Sequence, residues 1–306
     1  MRFLSSRWFK VSVSFGLFAF LLGSTDFSAF RRYLSAAPFL WVTVAFVGYL
    51  LGQVLSAYKW QVMARPLGFS QPLRVFSTYY FSGMFLNLFA PSTVAGDFGR
   101  SALLAGSSGK LGAAAQSVVA DRVSGLVMLL WVCAVSSVLT DLRTFSLAAR
   151  YGIIAAAVVP TVGWFVLSAL LRRAFFATHQ LHDFVEKLVG PYQRAPRILG
   201  CACGLSVVFH FFQIGLQLLL ALALHIDASV WALIVYISLV SIFSSLPISF
   251  GGVGVREGGY VMFLTPLGVE REQALAFGLL WSAVVLVANA TGGLALLFAP
   301  AAKEIE

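Results

Sequence analysis

The chain has 306 residues, of which 59% are hydrophobic and only 11% charged, with a formal net charge of +9. A soluble domain is about one quarter Asp, Glu, Lys and Arg, so this composition excludes a soluble enzyme, a nucleic-acid module and a disordered tail. The positive balance has a simpler source, because membrane proteins gather Lys and Arg on their cytoplasmic loops.

At the N-terminus, Arg2, Arg7 and Lys10 precede an apolar run from Val11 to Gly23. The run leads into GSTDF rather than a small-residue cleavage site, and it reads as a retained first helix. A hydrocarbon core of about 30 Å takes about 20 apolar residues in helical form. Apolar segments fall at about 8–25, 38–57, 75–90, 113–138, 151–171, 199–224, 230–246 and 273–298. The basic, amphipathic stretch between 172 and 198 is predicted to lie along the membrane surface as a helix ending near Pro191. Within it, His179 and His182 read as part of a solvated face. Lys59 and Trp60 read as interfacial anchors. Cys133, Cys201 and Cys203 lack CxxC or Cys/His spacing and read as small buried hydrophobes. No nucleophile-and-base set, metal motif or nucleotide loop appears, so neither a metal nor a cofactor is expected. The SSGK at 107–110 lacks the spacing and preceding strand of a phosphate loop.

Two segments are broken in the same way. PSTVAGDFGR runs from Pro91 to Arg100, and PISFGGVGVR from Pro247 to Arg256. Each follows an apolar stretch, opens on Pro, has Gly sixth (Gly96, Gly252) and ends on Arg. Each then leads into an alanine-rich helix near Ala113 or Ala274, which suggests an internal repeat. If all eight segments crossed the membrane, nine Lys/Arg would lie inside and ten outside, which is no bias. If residues 75–99 and 230–256 are re-entrant hairpins, 14 lie inside and five outside. The positive-inside rule favours the hairpins. The chain is then an all-α polytopic membrane protein with about six spans and two re-entrant hairpins. It forms a single domain over 1–306, with inverted repeat elements at 75–138 and 230–298. Both termini face the cytoplasm. Broken helices in inverted repeats are a transporter arrangement.

Pro91 and Pro247 must interrupt their helices, and Gly96, Gly251, Gly252 and Gly254 permit the turns. The returning helices are predicted to begin near Asp97 and Val255. A helix N-terminus with Arg100 or Arg256 beside it suits an anion such as a phosphate. The alternative for Arg100 is a local ion pair with Asp97 at i,i+3. Asp121 and Arg122 fall about 13 Å into the fourth apolar segment. There they form either a structural pair or a cavity wall that contacts a charged ligand. Glu257 reads as a proton site, a headgroup contact or a partner of Arg122. Asn87, Tyr79 and Tyr80 line the first hairpin, where the amide is placed to bond freed carbonyls. His210, Gln213 and Gln217 share a face and read as a hydrogen-bonded seam between helices.

The segments NLFAPSTVAGDFGR, AAAQSVVADRVSGLVMLL and LPISFGGVGVREGGYVMFLTPLGVEREQALAFGLLW resemble the lysylphosphatidylglycerol synthase transmembrane-region family of flippase-like membrane proteins. The likeness covers roughly 40–298, and GGVGVREG is its most specific part. A soluble aminoacyl-transferase domain follows this region in the longer synthases and is not in this sequence. The resemblance implies handling or translocation of a lipid with a charged head group, not its synthesis. It places the family's first element on Asn87, Pro91, Gly96, Asp97 and Arg100, and its acidic-Arg pair on Asp121 and Arg122. Its Gly-rich element falls on Gly252, Gly254, Arg256 and Glu257. Three departures are VAGD in place of GGD, Asp121 in place of Glu, and Lys59-Trp60 in place of Arg-Trp. The expected function is binding or transport of a phospholipid or other lipid across the inner membrane, with no nucleic acid involved. The alternatives are a non-transporting partner of a lipid or glycosyl transferase, and a membrane-embedded enzyme acting on lipid phosphates.

Overall fold

The computed structural model describes residues 23, 26–36, 39–89, 94–106, 109–141, 145–172, 179–246 and 252–297. Regular structure among them is entirely helical. The α-helices are α1 (Phe27–Ala36), α2 (Phe39–Ala64), α3 (Leu73–Leu86), α4 (Val94–Ala105), α5 (Leu111–Leu139) and α6 (Leu147–Arg172). They continue as α7 (His179–Gln193), α8 (Pro196–Ala223), α9 (Val230–Ser245), α10 (Val255–Leu264) and α11 (Arg271–Leu297). Turns of 3₁₀ helix at Arg65–Leu67, Asn87–Phe89 and Thr265–Leu267 extend α2, α3 and α10.

Among the described residues, α2, α5, α6, α8 and α11 are long and apolar enough to cross a bilayer. They occupy five of the six predicted spans. The sixth, at 8–25, lies outside the described residues but for Gly23. α3, α4, α9 and α10 have 14, 12, 16 and 10 residues. At 1.5 Å per residue they are about 21, 18, 24 and 15 Å long, each short of a 30 Å hydrocarbon core. The two broken segments are therefore pairs of short helices. Pro91, Pro247 and Gly251 lie outside the described residues.

Two details depart from the sequence reading. α1 is absent from it, because Arg31 and Arg32 interrupt the apolar run that would have flagged it. Its start is capped by Asp26, whose Oδ1 accepts the Ser28 N–H at 2.8 Å. Its end is tied across to the start of α11, where the Tyr33 hydroxyl donates to Glu270 at 2.7 Å. The interfacial segment does form a helix, α7, but Pro191 lies inside its last turn and the helix runs on to Gln193.

The outer surface is apolar in the way a lipid-facing surface must be. On α6, Tyr151, Val159, Phe165 and Val166 all point outward. Of the cysteines only Cys133 is buried; Cys201 lies on the exposed side of α8 and Cys203 is half-buried, so the sequence reading holds for Cys133 alone. The larger core gathers Leu220, Ile237, Leu264 and Phe277. A smaller one gathers Trp60, Phe76, Tyr79 and Val118.

The order of packing positions the site. α2 crosses α8 at the centre, with Gly52 so close to Gln213 that a Cβ there would stand 2.2 Å from its amide nitrogen. α3 packs on α4 and on α11, and α9 packs on α10 and on α5. The α3–α11 crossing is tight, since a Cβ on Gly292 would lie 2.1 Å from the Phe81 carbonyl oxygen. Each short pair is thus clasped by the span that follows the other one.

Candidate functional site

The first short pair closes on a glycine contact. A Cβ on Gly96 would meet the Gly83 carbonyl oxygen at 2.2 Å and the Asn87 Oδ1 at 2.5 Å. Any side chain there would wedge α3 and α4 apart. Among the described residues Asn87 bonds no freed carbonyl; its Oδ1 instead accepts the Gly96 N–H at 2.8 Å. The reason is geometric: near the start of α4 the orphan groups are N–H donors, so the amide oxygen is the useful end.

α4 begins at Val94, three residues before the predicted start, so Asp97 lies in its first turn and Arg100 one turn later. Their i,i+3 spacing brings Arg100 Nη2 to 3.1 Å from Asp97 Oδ1. The local ion pair weighed from the sequence is present. Arg100 also reaches α5, donating through Nη1 and Nη2 to Asp121 Oδ2 at 3.2 and 3.1 Å. Its guanidinium carbon stands 4.9 Å from the Trp60 ring centroid and 5.0 Å from that of Tyr80, both within cation–π range.

Asp121 and Arg122 do not pair with each other. Neighbours on a helix point about 100° apart, and here they diverge to different partners. Asp121 is buried and takes Arg100 and Lys59, whose Nζ lies 3.0 Å from Oδ1. Arg122 reaches across to α4, with Nε 3.1 Å from both Asp97 oxygens and Nη2 2.9 Å from Oδ1. The result is a chain of alternating charge: Lys59, Asp121, Arg100, Asp97, Arg122. Three cations and two carboxylates leave one net positive charge among the helices. The chain also has an inside and an outside. The Arg100 side chain is 3% exposed and that of Arg122 43%. Tyr80, Met84, Asn87, Asp97, Arg100 and Arg122 border a small cleft of about 30 Å³ at the exposed end, room for water rather than for a headgroup as it stands.

Lys59 and Trp60 were read as interfacial anchors, and the structure overturns that. α2 continues to Ala64, so both lie within its buried face, at 5% and 0% exposure. The Trp60 indole donates to Ser117 Oγ at 3.0 Å and packs edge-on against Phe76. The signal was present in the sequence: Lys-Trp occupies the place of the family's Arg-Trp. Withdrawing Lys59 and Arg100 from the 14 inner-loop cations leaves 12 against five outside, so the charge bias persists.

The second pair is built differently. Gly252 and Gly254 adopt φ of +83° and +81°, the left-handed region that favours glycine. α10 starts directly after them at Val255. Glu257 is 1% exposed and does not meet Arg122. Its Oε2 accepts the Gly254 N–H at 2.7 Å, as a capping residue does. Its Oε1 accepts the Ser282 hydroxyl of α11. Arg256 donates through Nη1 to the same Ser282 Oγ at 3.1 Å.

α2 packs on α3 of the first pair and on α11. Its Tyr49 ring meets Trp281 edge-on at 5.6 Å, and its Ser56 hydroxyl lies 2.9 Å from that of Tyr80. The seam on α8 is partly as expected: His210 Nε2 is 2.8 Å from the Gly125 carbonyl oxygen, and Gln217 accepts the Tyr260 hydroxyl. Gln213 packs against Gly52 with no hydrogen-bond partner.

Long apolar helices around a buried charge network define a multi-pass membrane protein whose polar chemistry sits within the helix bundle. The chain belongs to the lysylphosphatidylglycerol synthase TM region family, whose model matches residues 7–293. That family is a membrane domain of the synthase and flippase type. No curated protein and no solved structure matches the chain.

Proposed function

We propose that the protein binds a lipid with a charged, phosphate-bearing head group and carries it across the inner membrane. The observation that carries this reading is the set of cations held among the helices: Arg122 at the exposed end of a charge chain with three cations to two carboxylates, and Arg256 with no carboxylate ion pair among the described residues. Charged side chains at membrane depth face cavities or ion paths when they are not paired for structure alone. The short pairs act as re-entrant hairpins, and the two halves form an inverted repeat. Supporting the repeat, α2 to α5 and α8 to α11 follow the same order of span, two short helices and span. An amphipathic helix precedes each half, and α3 on α11 matches α9 on α5. In this mechanism the lipid head passes between the hairpins while its tails stay in the bilayer. The exposed Arg122–Asp97 pair opens as the head enters, and the two halves rock to expose the site to each leaflet in turn.

The test is a leaflet-resolved lipid-scrambling assay on purified protein in vesicles. Faster equilibration of a labelled anionic phospholipid than in protein-free vesicles is the expected result. Unchanged equilibration removes the transport reading and leaves the non-transporting partner as the better account.

The topology is checked separately. In this reading both termini face the cytoplasm, as do the connections after α2 and after α4 within 58–74 and 100–112, and the segment 172–198. In a background without native cysteines, Arg65→Cys and Gly106→Cys should both label from the cytoplasm. If position 106 labels from outside while position 65 labels from inside, the first short pair is a true span and the inverted repeat is lost.

A further inference from the structure

We infer that the anionic group of the ligand is held at the second short pair, by Arg256 with the hydroxyl of Ser244, while Ser282 orients the guanidinium, and that Arg100 is a structural charge. The inference rests on the proposed lipid reading for the source of the anion, not for the existence of the site.

The two arginines occupy matching places but differ in what surrounds them. Arg100 and Arg256 each end a ten-residue segment that opens on Pro and has Gly sixth. The spans that follow match as well: Asp121 and Arg122 are the eleventh and twelfth residues of α5, and Trp281 and Ser282 are the eleventh and twelfth of α11. Arg100 accordingly touches the eleventh residue of its span, and Arg256 the twelfth of its own. In the first half the matching positions supply two carboxylates, Asp97 and Asp121, and both lie on Arg100. In the second half those positions are Val253 and Trp281, which carry no charge. Among the described residues, no carboxylate forms an ion pair with Arg256. The nearest acid, Glu257, is reached only through Ser282 and already serves as a helix cap.

A second orphan lies beside it. The Ser244 hydroxyl oxygen is buried and has no hydrogen-bond partner among the described residues. Ser244 Cβ and Arg256 Nη2 both stand 3.2 Å from where a Cβ on Gly252 would sit. The glycine at this place thus lets the Arg256 guanidinium approach Ser244 closely, where a larger residue would crowd both. A buried polar group without a partner, next to a cation without an anion, is the unfilled half of a charge-assisted hydrogen-bond set. Phosphate oxygens match this set in chemistry, accepting from the guanidinium fork and from the hydroxyl. A neutral head group offers no charge to offset Arg256, and a cationic one would add repulsion.

The shared chemistry is a phosphate, carried by a lipid or free in solution, and the experiment separates the two. Full-length protein in a phosphate-free maltoside detergent is titrated with short-chain phosphatidylglycerol, with inorganic phosphate and with diacylglycerol, reading the shift in thermal unfolding. The expected result is saturable stabilisation by phosphatidylglycerol. Arg256→Gln should weaken it about ten-fold or more and Ser244→Ala a few-fold, in line with the loss of charge-assisted hydrogen bonds. The unliganded melting temperatures should stay close to the parent's. If Arg256→Gln does not fold, Arg256→Lys replaces it, since it keeps the charge but not the fork and should bind more weakly than the parent. Stabilisation by inorganic phosphate with the same Arg256 dependence supports the site and assigns it to a free anion. Equal affinity in parent, Arg256→Gln and Ser244→Ala overturns the inference, as does a parent that responds to neither phosphate compound. A failed scrambling assay alongside Arg256-dependent binding removes transport alone.

Discussion

Asp121→Asn should cost the protein about 3–5 kcal/mol of stability, the range for removing one partner of a buried ion pair. Asp121 is the only carboxylate of the described residues that touches both Lys59 and Arg100. Asparagine has nearly the same shape but no charge, so the packing survives while two cations are left facing each other in a low-dielectric setting. Arg100 would keep Asp97, but Asp97 is already shared with Arg122. The measurement is thermal unfolding in detergent together with the yield of folded protein from membranes. A companion, Lys59→Met with Asp121→Asn, removes one cation as well and should recover part of the loss. An unchanged melting temperature in Asp121→Asn would mean that water reaches the cluster and screens it, and that the charge chain holds nothing together.

Arg122→Gln should have the opposite signature, with transport lost and the fold kept. Arg122 lies at the exposed end of the charge chain and can lose its partner without stranding a fully buried carboxylate, because Asp97 retains Arg100. If its pairing with Asp97 is what a lipid head competes for, its removal takes away a charge-assisted contact worth about 1.5–3 kcal/mol, or roughly ten- to a hundred-fold in affinity. Arg194→Gln is the control. Arg194 pairs with Glu186 on α7 with its side chain 70% exposed, where an ion pair is worth little. Transport at matched protein levels should fall at least about ten-fold in Arg122→Gln and stay within about two-fold in Arg194→Gln. Parent-like transport in Arg122→Gln would leave the Asp97 pair as a purely structural clasp.

The sequence by itself determined the class of protein, the placement of five spanning helices and the two breaks. These properties are local: hydropathy over 20 residues fixes a span, and a proline followed by glycines ends a helix whatever lies around it. The resemblance located the charged residues for the same reason, since short motifs travel with the chain. Partnership is not local, and only the tertiary structure decided it. Asp121 and Arg122 are adjacent in sequence yet serve different clusters, because a helix turns about 100° per residue. Lys59 looks like an interfacial anchor until α2 is seen to run on to Ala64 and carry it under α5. The sequence also presents Arg100 and Arg256 as equals. The fold separates them by setting two carboxylates against one and a valine and a tryptophan at the matching places of the other, so that in a medium of low dielectric one arginine is neutralised and the other is left to meet an anion.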